Sequence, residues 1–180
     1  MDGLTEYVEE GLALAIALAN RNSSQRRGAA AEPSHATAGV DLRVGDPVVL
    51  DSMAAHLREV LAAPRPEQAG PLINQLFRAH HAAPELAADA LGHWRLHLHP
   101  RDASREALDM VKAGSGLAWL VDGDRWQTLK HCLATRCDDY FLDLSPGTTR
   151  RYCSRTCANR VNSHLHRRRH PTSADDIPRP

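Results

Sequence analysis

The apolar positions of the chain fall into short blocks whose period changes along its length. From Leu4 to Asn20 leucine and alanine dominate. Leu12, Leu14, Ile16 and Leu18 alternate with small residues, but alanine at every other position favours a helix over residues 4–20 rather than a buried strand. Residues 21–40 hold Asn, Ser, Gly, Pro and Arg without periodicity and predict a loop. Asp46-Pro47 opens a second helix to about Leu61, with Asp46 as its cap and proline in the tolerated first turn; Pro64 and Pro66 end that segment. Pro71 opens a third helix to about Ala82, with Leu72, Ile73, Leu76 and Phe77 as its apolar stripe. In His93–His99, Trp94, Leu96 and Leu98 alternate with His93, Arg95, His97 and His99, the period of a half-buried strand. Ser104 caps a further helix through Leu108 and Val111 to about Leu120, weakened in its middle by Gly114 and Gly116. Asp122-Gly123-Asp124 marks a turn.

In the C-terminal part, Tyr140–Leu144 and Arg150–Cys153 predict the two strands of a hairpin, joined by Ser145-Pro146-Gly147-Thr148. Ser154 caps a last helix reaching about Arg169, which places Cys157 in its first turn. The tail 171–180 is rich in Pro, Ser and Asp and is expected to be disordered.

A chain of 180 residues suits one domain plus a small module. Aromatic residues make up only 4 % of it, so the core must rely on Leu, Ala and Val. The net charge of zero hides an asymmetry: residues 130–170 carry nine Lys and Arg against three Asp, and the rest of the chain carries the opposite excess. The apolar run 12–19 follows Glu9, Glu10 and Gly11 instead of a basic leader and is too short to cross a bilayer, so a membrane role is not expected. A cytoplasmic location is expected, where thiols stay reduced. The abundance of Ala, Arg and Pro points to a GC-rich bacterial coding sequence.

The chemistry concentrates in the four cysteines, the only ones in the chain. Cys132 and Cys137 form a C-x4-C pair, Cys153 and Cys157 a C-x3-C pair, and fifteen residues lie between. Two short pairs separated by a small loop have the spacing of a structural zinc site, in which four thiolates close a tetrahedron around Zn2+. The plain alternative is four reduced cysteines without metal, and a redox switch that expels the metal is a further possibility. His131 and His164 are candidate replacement ligands, and His93, His97 and His99 could share one strand face; His80-His81 reads as a surface pair. A site closed by four cysteines leaves no open position for catalysis, and no phosphate-binding glycine loop or nucleophile motif is present, so the chain is not read as an enzyme.

The last helix, read at about 100° per residue, carries Cys157, Val161, His164 and Leu165 on one side and Arg155, Asn159, Asn162, His166 and Arg169 on the other, with Arg160 and Arg167 flanking. Arg contacts phosphate or guanine and Asn can pair with adenine, so this face suits DNA. Arg150 and Arg151 on the hairpin extend it. The bland reading is a solvated basic face or one that grips an acidic protein.

Cys153-Ser-Arg-Thr-Cys157-Ala158-Asn159-Arg160 resembles the signature of the CGNR zinc finger. The likeness extends back through Cys132, Cys137, Tyr140-Phe141-Leu142-Asp143, Ser145 and Arg150-Arg151-Tyr152. Ala158 stands where the signature has glycine, three residues rather than four separate the last cysteines, and Asn162 stands where lysine is often found. The N-terminal portion resembles the ABATE domain on Leu14–Asn20, Asp41-Leu42 and Leu72-Ile73-Asn74. The resemblance implies a stress-induced transcription regulator that binds DNA.

The expected fold class is therefore α+β: a mainly α-helical N-terminal domain over 1–122 that folds by itself, then a small treble-clef-like zinc finger over 123–170. The expected function is DNA-binding transcription regulation, with the N-terminal domain sensing a small-molecule effector or mediating assembly. The alternative is a zinc-dependent module that binds an acidic protein partner or the transcription machinery. Target sequence, effector, oligomeric state and sign of regulation are not written in the sequence.

Overall fold

The computed structural model describes residues 3–27, 46–99 and 102–169, with the helical backbone alone at 23–27 and 165–169. The cues at Asp41-Leu42, most of the 21–40 loop and the 171–180 tail lie outside the described residues. Among the described residues there are five helices and two small antiparallel strand pairs, an α+β arrangement.

Helix α1 spans Gly3–Arg27, so the helix runs on through 21–27 where a loop was expected. Its Ala15, Ile16, Leu18 and Ala19 are almost fully buried, which places it at the centre. Helix α2 (Pro47–Leu61) is capped as expected, the Asp46 Oδ1 accepting from the Val48 amide at 2.8 Å. Leu50, Met53, Ala54, Leu57, Val60 and Leu61 form its buried stripe.

Helix α3 (Pro66–Ala79) begins one turn earlier than Pro71 suggested. Pro66 takes the first helical position and Pro71 lies inside the helix. Proline disfavours a helical conformation in the preceding residue, largely by crowding its Cβ, and Gly70 has none.

Helix α4 (Arg105–Asp122) is capped by Ser104, whose Oγ accepts from the Ala107 amide at 3.2 Å. The two glycines expected to weaken it make its packing possible. A Cβ on Gly116 would lie 2.2 Å from the Leu12 amide nitrogen, and one on Gly11 would lie 2.0 Å from the Lys112 carbonyl oxygen. The backbones of α1 and α4 therefore cross in direct contact. A Cβ on Gly114 would meet Leu76 and Phe77 of α3 at 2.9 and 2.8 Å.

Strands β1 (Glu85–Ala88) and β2 (Trp94–His97) form a hairpin, of which only the second strand was expected. The Asp89 Oδ1 organises its turn by accepting from the Leu91 and His93 amides at 2.9 Å. The apolar alternation points outward rather than into the core: Trp94 is 70 % exposed, and Leu96 and its cross-strand partner Leu86 are exposed on the same face.

A 3-10 turn (Trp126–Thr128) leads into β3 (Leu129–His131), which pairs with β4 (Tyr140–Leu142), before helix α5 (Arg155–Arg169). Two cores result. The larger joins α1–α4 with Trp126 and Tyr140; the smaller holds the four cysteines, Ala134 and Phe141, with Tyr152 and Val161 against it.

Candidate metal centre

The first cysteine pair lies in a tight knuckle. The Cys137 amide donates to the Ala134 carbonyl at 3.0 Å, and Arg136 adopts a positive φ of 65° to close the turn. The second pair lies on the N-terminus of α5. Ser154 caps it as expected, its Oγ accepting from the Cys157 amide at 3.2 Å, so Cys157 sits in the first turn.

The expected hairpin between Tyr140–Leu144 and Arg150–Cys153 does not form. Tyr140–Leu142 pairs instead with the segment before the first cysteine, Leu129↔Leu142 through His131↔Tyr140. At Arg150, where the second strand was expected to start, side chains take the place of a ladder. Asp143, completely buried, accepts from the Arg150 amide at 2.7 Å, from the Ser145 amide at 3.1 Å and from the Ser145 hydroxyl. Lys130 pairs with Asp143 at 2.7 Å and donates to the Thr148 and Arg150 carbonyls. With its amide and carbonyl both occupied, Arg150 has no need of a ladder partner. The 145–148 turn is present, with the Thr148 amide donating to the Ser145 carbonyl at 3.0 Å. Burial pushes the Asp143 carboxyl up, but the Lys130, Ser145 and Arg150 bonds outweigh it and hold the group well below the usual carboxylate range.

These elements bring all four cysteines together, every one buried, with their sulfurs within 4.8 Å of one another. The Cys137 and Cys153 sulfurs are 3.7 Å apart and those of Cys153 and Cys157 3.6 Å. A disulfide needs about 2.05 Å. A tetrahedron of sulfurs at about 2.3 Å from one zinc ion has edges of about 3.8 Å. The cluster therefore fits a tetrahedral Zn2+.

The thiols also shift one another's proton affinities. Hydrogen bonds from the Cys137 and Cys153 thiols drive the Cys132 thiol far down, while the bond to Cys132 pushes Cys137 up to about 12. Cys153 is driven higher still, first by its bond to Cys132 and then by Cys137. One negative charge is welcome in the cluster and further ones are not, unless a cation shares the site. Amide donors are already aimed at the sulfurs: the Cys153 amide reaches the Cys132 Sγ at 3.4 Å. The Arg160 guanidinium reaches the Cys157 Sγ at 3.3 Å. Such donors orient ligands and offset thiolate charge. Cys132, Cys137, Cys153 and Cys157 would hold the ion, and the bound metal would supply a cross-link between knuckle and helix.

Histidine does not enter the group. The exposed His131 places its Nε2 3.0 Å from the Asp138 carboxylate, and His164, expected on the metal side of α5, is exposed. His97 and His99 stack edge to face at 5.5 Å. Among the described residues, the four cysteines are the only cluster of three or more metal-ligand side chains.

The basic candidates divide by what they touch. Arg155, Asn159 and Asn162 are exposed on α5, with Cys157 and Val161 turned to the small core. Arg160, on the same exposed stretch, also contacts the sulfur of Cys157. Arg151 is exposed, and its carbonyl accepts from the Leu133 amide in the knuckle at 3.0 Å. Arg150 is exposed but anchored, donating to the Cys153 carbonyl at 3.1 Å with its Cζ 5.4 Å from the Phe141 ring centre. The Arg167 and Arg169 side chains lie outside the described residues.

Sequence reasoning missed the groups that fasten the finger to the helices. Asn20 of α1 is buried and forms a two-way bond with β4, donating to the Tyr140 carbonyl at 2.8 Å and accepting from its amide at 2.9 Å. Arg58 of α2 donates to the Ala19 carbonyl at 3.0 Å and pairs with the Asp138 carboxylate at 2.6 Å. An amide ending an otherwise apolar run was the available signal for Asn20; nothing local marked Arg58.

No curated protein matches the chain in sequence. Residues 128–170, from the end of the 3-10 turn to the end of α5, match the family described as the CGNR zinc finger, and the four clustered cysteines all lie within that match.

Proposed function

We propose that the protein is a transcription regulator whose zinc-loaded finger contacts DNA through the exposed face of α5. The observation that carries this reading is the division of that helix. Cys157 and Val161 are turned to the cysteine cluster and small core, which leaves Arg155, Asn159 and Asn162 facing solvent. Arginine among asparagines suits phosphate contact combined with base reading. Arg151 lies on the same module, and the excess of basic residues over 130–170 supplies the attraction. In this reading the helical part, with its likeness to the ABATE domain, senses an effector or mediates assembly. The site carries no catalysis, because its four thiolates fill the tetrahedron.

One observation favours the second reading, a module that grips a protein partner. Leu86, 63 % exposed, and Trp94 lie on one open face of the β1–β2 hairpin. That face belongs to a different element from α5, so protein contact there is compatible with DNA contact at the finger. No helix among the described residues is long and apolar enough to cross a membrane.

Duplex binding over a salt series, with zinc content measured on the same samples, tests the proposal. Replacing Arg155 with Ala should weaken binding to all sequences alike and reduce the salt slope by about one. Replacing Asn159 or Asn162 with Ala should instead flatten the preference among sequences. Salt-independent binding, or binding unchanged when Arg155, Asn159 and Asn162 are all replaced, would remove α5 from the interface.

A further inference from the structure

A cleft of about 600 Å³ opens along the seam between the helical part and the finger. Leu12 of α1, Leu120 of α4 and Phe141 and Leu142 of β4 supply its apolar lining, and Arg125 and Arg150 also line it. Small-molecule sites are commonly of this size and make-up, mostly apolar with a few placed polar groups.

The two guanidiniums set the chemistry. Arg125 is exposed and lies over Trp119, its Cζ 3.5 Å from the ring centre. Arg150 is held over Phe141 by its bond to the Cys153 carbonyl. Stacking and a carbonyl contact fix both in place, and neither forms an ion pair with a carboxylate among the described residues. The one acidic residue lining the cleft, Glu9, is exposed. A pre-positioned guanidinium with open donors recognises a planar carboxylate in two-point fashion.

We infer that this cleft binds a small hydrophobic carboxylic acid, with its apolar body against Leu12, Leu120 and Leu142 and its carboxylate between Arg125 and Arg150. The occupant touches α1, α4, β4 and the arginine that supports the Cys153 loop, so its binding is linked to how the helical part and the finger pack together. This site does not depend on whether α5 meets DNA.

The probe is 2-naphthoate, titrated calorimetrically into the full-length, zinc-loaded protein, with the uncharged 2-naphthylmethanol as its partner. One saturable site per chain is expected for the acid, with the alcohol at least tenfold weaker. Arg125→Gln, at an exposed position outside the cysteine cluster's own residues, should weaken the acid about tenfold and leave the alcohol unchanged. Ala13→Trp, which fills the cleft from α1, should abolish binding of both. Circular dichroism and zinc content confirm that each variant is folded, and if Ala13→Trp fails to fold, Arg125→Gln decides. No saturation by 1 mM acid, equal affinity for acid and alcohol, or an unchanged titration in Arg125→Gln would overturn the assignment.

Discussion

Asp143 shows how one residue can replace a strand. It sits fully buried between β4 and the second cysteine pair, and its carboxylate does for the 145–150 segment what a neighbouring strand would otherwise do. Asp143→Asn keeps the shape but leaves Lys130, itself a quarter exposed, without its counter-ion. The expected loss is about 3 kcal/mol at neutral pH. Its carboxyl is held below the usual range in the fold, so its contribution is complete above about pH 4, where the unfolded carboxyl is ionised, and fades as pH falls through the lower folded value. The stability gap between wild type and Asp143→Asn, followed by urea unfolding from pH 7 to pH 3, should narrow only below about pH 4. A gap that stays constant to pH 3 would show that the charge is not what matters. At this scale the gathering of the four cysteines was plain in the sequence, because two short pairs admit few arrangements. Their support was not. Arg160, expected only to flank the DNA face, reaches the Cys157 sulfur, while Asn159 faces solvent. A shift of one residue turns a helical side chain by about 100°, and spacing alone does not fix that angle to the precision a hydrogen bond needs.

Among the elements, capping signals were dependable. Asp46, Ser104 and Ser154 all cap the helices they were expected to cap, because a side-chain oxygen before a run of free amides is a local event. Tertiary reasons overrode local ones elsewhere. Gly114 and Gly116 lower the helix propensity of α4, but Gly116 lets α1 approach where no Cβ would fit. Gly116→Ala, stabilising in an isolated helix, should here cost at least about 1–3 kcal/mol through overpacking against the Leu12 backbone. Thermal unfolding distinguishes the two, and a raised Tm would contradict the close crossing. The alternation in 93–99 was legible as a strand, but its direction was not. Trp94 and Leu96 line one face of a hairpin that turns that face outward, and periodicity says which residues share a face without saying where the face points.

For the whole molecule, the question is how two cores act as one. Trp126 and Tyr140, from the start of the finger, belong to the larger core, and the Trp126 indole donates to the Ala63 carbonyl at 3.0 Å. Asn20 binds both backbone groups of Tyr140 across 120 residues of chain. Asn20→Ala would leave a buried amide and carbonyl without partners, at a cost on the order of 3 kcal/mol. Hydrogen exchange should then speed up across 129–142 while α2 and α3 keep their protection; unchanged exchange in β4 would show that the fastening is dispensable. Such long-range contacts leave no mark on local pattern, so the joining of helices to finger was invisible before the fold, whereas the metal centre was not. The small core depends on that centre, since zinc binding contributes on the order of 10–16 kcal/mol to small finger modules. Zinc content of the protein purified without added metal tests it most directly. The account predicts one zinc ion per chain, lost together with the order of 129–169 in Cys153→Ala; a metal-free chain whose 129–169 segment is fully folded would contradict it.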